Sequence, residues 1–149
     1  MELNNQEETM QQGIAAHREG DLQKAERCYR IILASHPEHP DANHNLGVLA
    51  VGLGKVQEAL PFFKTALEIN PSIEQFWLSY IDALIKLNRI ADAKAVLDEA
   101  KSKGIKGDGF DKIEKRLIEF EKKIESNVAS SKSQEPPQEQ LQNLINLYT

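Results

Sequence analysis

Cysteine is nearly missing from this sequence. Cys28 is the only one among 149 residues, so no disulfide can close within the chain, and a reducing, cytoplasmic setting is the expectation. An excess of positive charge is missing too. Lys and Arg number 12 against 15 Asp and Glu through Gly107, and 6 against 8 from Asp108 onward. Nucleic acid is therefore disfavoured as a partner, because phosphate binding draws on clustered basic side chains. The longest apolar run, LGVLAVGL at 46–53, falls far short of the roughly 18 residues of a membrane span. The opening MELNNQEETM has neither the basic start nor the apolar stretch of a signal peptide. Gly-rich phosphate loops, paired cysteines, HExxH and the nucleophile elbow are all absent. Neither an active site nor a cofactor is expected, and a membrane partner is not expected either.

What the sequence has instead is a period. Residues 34 apart match along about a hundred positions: Gly13 with Gly47, Ala25 with Ala59 and Ala93, Tyr29 with Phe63 and Leu97, Leu22 with Val56 and Ile90, Pro37 with Pro71. Three units result, 6–39, 40–73 and 74–107, after a short N-terminal tail, 1–5. Each unit reads as two amphipathic helices. The inner breaks fall at Gly20-Asp21, Gly54-Lys55 and Asn88-Arg89, and the outer ones at Pro37 and Pro71. Pro61 falls inside a predicted helix, near enough to its start to be tolerated.

The series Asn43, Leu46, Gly47, Ala50, Ala59, Phe63, Ala66 and Pro71 resembles the tetratricopeptide repeat, W-x2-L-G-x2-Y followed by Ala, an aromatic and a closing Pro. Trp77, Tyr80, Leu84, Ala93, Leu97 and Ala100 continue it in the third unit. The likeness spans about 6–107 and is similar to the N-terminal repeat region of larger bacterial proteins of this family. It implies an all-α fold, a right-handed α-solenoid of antiparallel helix pairs with a C-terminal capping helix. Small residues at Gly47 and Ala59 let the paired helices approach closely. Ile81 and Ile105 depart from the pattern in the third unit, and the polar Thr9 and Gln12 depart from it in the first.

HPEHPDANHNLG, 36–47, brings His36, His39 and His44 within nine positions. In this register it is the connector between units, with His44 on the following helix. A zinc site would need the three imidazoles to converge across a Pro-stiffened turn, so no metal is expected. Cys28 reads as a small, half-buried apolar residue rather than a reactive thiol. Asp82 and Lys86 read as an i,i+4 surface pair.

The family resemblance implies that the first helix of each unit lines a concave groove used for ligands. Steps of three and four residues select Glu7, Met10, Ile14, His17 and Arg18 in the first unit, Asp41, His44, Val48, Val51 and Gly52 in the second, and Gln75, Leu78, Asp82, Ile85 and Lys86 in the third. Its apolar members form a strip with a mixed-charge margin, expected to take a protein or peptide, and repeat two is expected at its centre. One subgroup of the family grips the carboxylates of chaperone tails with Lys and Asn. Met10, Ile14, His44 and Val48 stand where those donors are expected, which argues against that specificity.

Beyond Gly107 the period lapses. A capping helix is predicted over 108–127, with a stripe of Phe110, Ile113, Leu117, Phe120 and Ile124 and a capping box at Asp111 and Glu114. The Ser, Gln and Pro content of 128–137 predicts a flexible linker. Leu141, Leu144, Ile145 and Tyr148 repeat the spacing of Trp77, Tyr80, Ile81 and Leu84. The stretch 138–149 thus reads as a further helix or the start of a truncated repeat. Three functions are compatible with this organisation. The first is a non-catalytic interaction scaffold, and the second is the N-terminal accessory module of a larger glycosyl-, methyl- or sulfotransferase. The third is a homo-oligomer formed through the groove, the 110–126 helix or the C-terminal segment.

Overall fold

The computed structural model describes residues 2–132, with side chains described over 5–128, so 138–149 lies outside the described residues. The described helices are α1 (Glu2–Glu19), α2 (Leu22–Ser35), α3 (Pro40–Gly52), α4 (Val56–Ile69), α5 (Glu74–Lys86), α6 (Ile90–Ser102) and α7 (Asp108–Lys132). No strand occurs among the described residues. The chain divides into two compact units, Met1–Glu114 and Lys115–Thr149.

In the first unit each helix from α1 to α6 packs on the next, and α3 also touches α5. Two local devices fix the path. At the end of α1, α3 and α5 the chain closes a tight turn in which the amides of Asp21, Lys55 and Arg89 donate to the carbonyls of Ala16, Ala50 and Leu84 at 2.8, 2.8 and 2.9 Å. That turn needs one left-handed residue. Gly20, Gly54 and Asn88 supply it at φ 86, 78 and 59°. In the connectors, Trp77 Nε1 donates to the Pro71 carbonyl at 2.7 Å, and Asn43 Nδ2 donates to the Pro37 carbonyl at 3.1 Å. Asn43 thus does in repeat two what the tryptophan does in repeat three.

The paired helices approach through a size exchange. A Cβ on Gly13 would lie 2.7 Å from Tyr29 Cε1, and one on Gly47 would lie 2.5 Å from Phe63 Cε1. Repeat three carries Ile81 and the smaller Leu97 at the same register, and both are buried. Volume removed from one side is restored on the other. Gln12 is exposed where Leu46 is buried, and half-buried Thr9 returns its hydroxyl to the Asn5 carbonyl at 2.7 Å. Polar side chains thus occupy the stripe of α1 that its counterpart α3 buries.

Four expectations change in the first unit. Helix α1 begins at Glu2, inside the stretch read as a tail, because 2–5 contains no Gly or Pro to stop it. Pro61 is the sixth residue of α4 and not part of its start, so Gln57 loses its i+4 donor and relies on the exposed position of this turn. The starts of α3, α5 and α7 are spaced by 34 residues. The period therefore continues past Gly107 although most residue identities change; Phe110 repeats Phe76, and both are 3% exposed. Asp111 lies within the first turn of α7 and caps nothing there, and Glu114 instead accepts from Lys101 Nζ at 2.6 Å.

In the second unit α7 continues through Lys132, well into the predicted linker. The run from Ser126 to Lys132 is polar but lacks Gly and Pro, and Pro136 is the first strong breaker. Of the predicted stripe, Phe110, Ile113 and Leu117 are buried, Phe120 is half-buried and Ile124 is exposed. Ile118 and Val128 are exposed as well. No described helix is long and apolar enough to cross a membrane.

Candidate binding groove

The first helices of repeats one and two frame an open cavity of about 510 Å³, lined by Ile14, His17 and Arg18 of α1, His44, Asn45 and Val48 of α3, Tyr29 of α2 and Gln75 of α5. Ile14 and Val48 are half-buried and supply its apolar surface. Met10 and Ile14 pack against the core formed by Ala16, Ala25, Tyr29, Leu46 and Leu49, so their positions are fixed by packing. Asn45 Nδ2 reaches Met10 Sδ at 3.6 Å. A thioether is a weak acceptor, and the Asn45 side chain also hydrogen-bonds His44.

His44 is built into the wall of this cavity. It is 8% exposed, its ring lies 4.8 Å from that of Phe76 and 5.6 Å from that of Phe63, and its Nε2 is 2.8 Å from Ser79 Oγ. Gln75 Nε2 donates to the same hydroxyl at 3.2 Å. Burial pushes the pKa of His44 below the ordinary imidazole value, against smaller opposing effects of the Asn45 hydrogen bond and the Asp41 charge. Burial, aided by Cys28, raises that of Tyr29. The histidine expected as a groove contact is thus a structural link between α3 and α5 with one edge on the cavity.

The other histidines have separate partners. His39 is the N-cap of α3: the Ala42 amide donates to its Nδ1 at 3.1 Å, with Pro40 at the first helical position. His36 Nδ1 lies 3.1 Å from Ser35 Oγ. His17 meets the edge of Tyr29 with ring centroids 6.4 Å apart. Among the described residues no group of three His, Cys, Asp or Glu is placed to hold a metal. The 36–47 stretch acts as punctuation through His39 and as a link between repeats through His44.

Repeat three contributes less to the groove than its spacing suggests. Ile85 is 4% exposed. Leu78 lies under the start of α7, where a Cβ on Gly109 would come within 2.5 Å of Leu78 Cδ1. Lys86 bonds Asp82, four residues earlier on the same face. Val51 is half-buried. The open part of the groove is therefore centred between repeats one and two. Asn45 and Ser79 were not among the residues selected by stepping. Their signal was a polar column one residue past His44 and Leu78, shared by Gln11, Asn45 and Ser79 at intervals of 34 residues.

Comparison with known proteins places this geometry. Two tetratricopeptide repeat models match the chain, over residues 10–74 and 50–104. Among solved structures, the TPR2B domain of yeast Sti1, in a pHsp70 complex, superposes with a TM-score of 0.70 at 20% identity, over 77% of this chain and 97% of that one. The Sgt2 TPR domain from Aspergillus fumigatus gives 0.68 at 21% identity, over 89% of this chain and 85% of that one. The Thermobaculum terrenum O-GlcNAc transferase gives 0.62 at 20%, over 66% of this chain but 19% of that one. With its repeat spacing, turn geometry and helix packing all of one kind, and the two matches together running from residue 10 to residue 104, the chain belongs to the tetratricopeptide repeat family.

Proposed function

We propose that this chain is a non-catalytic interaction module that holds a peptide or partner helix in the groove between repeats one and two. The observation carrying this reading is the cavity bordered by Ile14 and Val48 and ringed by Arg18, Asn45 and Gln75, open where the matching surface of repeat three is occupied. Its chemistry suits an apolar side chain set in the cavity, with neighbouring backbone polar groups meeting Asn45 and Gln75. The Sti1 domain in its pHsp70 complex supports a polypeptide as the ligand class. Met10 and Ile14 favour an apolar anchor over a terminal carboxylate. Cys28, buried and unpaired, fits a cytoplasmic setting. A second reading, an accessory module of a larger transferase, is favoured by the O-GlcNAc transferase likeness and uses the same groove to present substrate.

Burying the part of the half-buried Ile14 and Val48 that is still exposed contributes roughly 1 to 3 kcal/mol before association entropy is subtracted. The variant Ile14→Glu with Val48→Glu is expected to weaken a partner recovered by the parent chain at least 100-fold while its circular dichroism stays helical. Equal affinity in the folded double variant would remove the groove from the function.

A further inference from the structure

The geometry points to His44 as a proton-operated joint between repeats two and three, its ring leaving the Phe63 and Phe76 side chains for the groove cavity when it takes up a proton. This deepens the groove reading by naming a regulation of the same site, and it rests on that reading only for its effect on a ligand.

Three observations carry it. His44 is the polar side chain that crosses from α3 to α5, through Ser79 at 2.8 Å and the Phe76 ring at 4.8 Å. It is 8% exposed between two phenyl rings, where a cation loses most of its hydration. It also lines a cavity of about 510 Å³ with space for a hydrated ring. The charged groups around it are unequally placed. Asp41 stands one turn earlier on α3 and attracts the imidazolium. Arg18 borders the cavity from α1 and opposes it, and the titratable His17 of α1 and Tyr29 of α2 stand on the same rim. The side chains that meet it from α4 and α5, namely Phe63, Gln75, Phe76 and Ser79, carry no charge. Neutral imidazole therefore fits the inner position between the phenyl rings, and imidazolium regains hydration in the open cavity. Moving outward, the ring fills part of the space that a ligand side chain needs and removes the Ser79 link. Low pH thus closes the site and loosens the joint together.

The test needs no ligand. In a carbon-13 NMR titration of the full chain from pH 7.5 to 4.5, His44 is expected to protonate below the pH of a free imidazole. Its cross-relaxation to Phe76 and Phe63 should be lost with that same midpoint, while Val48 methyl shifts move in step. Protonation with both ring contacts retained, or a midpoint at the free imidazole value, would overturn the joint. His44→Gln should remove the step from the Val48 methyl shifts, and if that variant fails to fold the parent titration still decides. Because the readout is the protein alone, equal partner affinity in the Ile14→Glu, Val48→Glu variant would refute the groove reading and leave a joint that titrates as described standing.

Discussion

Gly47 and Phe63 form one unit of size, since the glycine exists to admit the ring. Gly47→Ala should cost about 1 to 3 kcal/mol by overpacking, despite the better helix propensity of alanine. Adding Phe63→Leu should restore about 1 kcal/mol, because Ile81 and Leu97 are the natural version of that exchange in repeat three. Urea denaturation of both single variants and the double gives the coupling, and strict additivity would contradict the exchange. Asn88 makes a similar point about backbone. At φ 59° it holds the place of Gly20 and Gly54. Asn88→Ala should therefore lose about 1 kcal/mol in the same assay, whereas alanine at an ordinary helical site would lose nothing. For His44 the sign of the pH effect follows from its depressed pKa. The unfolded chain takes the proton first, so stability is fully present above the ordinary imidazole pKa. It falls as pH drops from there to the folded value and is level below that. Melting temperature should decline across this window in the parent and decline less in His44→Gln.

Each helix shows a different mixture of what sequence can and cannot tell. The turns after α1 and α3 were legible because glycine has few other reasons to recur every 34 residues, and the connectors were legible through Pro37 and Pro71. The start of α3 was legible as a break, but its cap was not, since histidine rarely serves as one. His39→Ala should remove that cap and lower stability by about 1 kcal/mol, and His39→Asp should retain it, as measured by thermal melts. Helix α7 was legible as a helix and illegible as part of the period. Its spacing persists while Lys115 replaces Gly47 and Ile81, so identity matching loses it. Phe110, repeating Phe76, is its buried anchor, and Phe110→Ala should cost about 3 to 5 kcal/mol. In the groove, helical spacing told which side of each helix a residue lies on. It could not tell that Ile85 is covered, that Leu78 meets α7, or that His44 finds Ser79 thirty-five residues away.

At the scale of the whole molecule, binding in the proposed groove between repeats one and two is the claim on which the functional account depends. Site-specific photocrosslinking tests it most directly. A photoreactive phenylalanine analogue is placed at Val48 in the groove or at the exposed Gln57 of α4, and each chain is irradiated in a cell extract. Discrete polypeptide adducts should form from position 48, should disappear when Ile14→Glu is added, and should not form from position 57. Equal adducts from both positions, or adducts from position 48 that survive Ile14→Glu, would contradict the account.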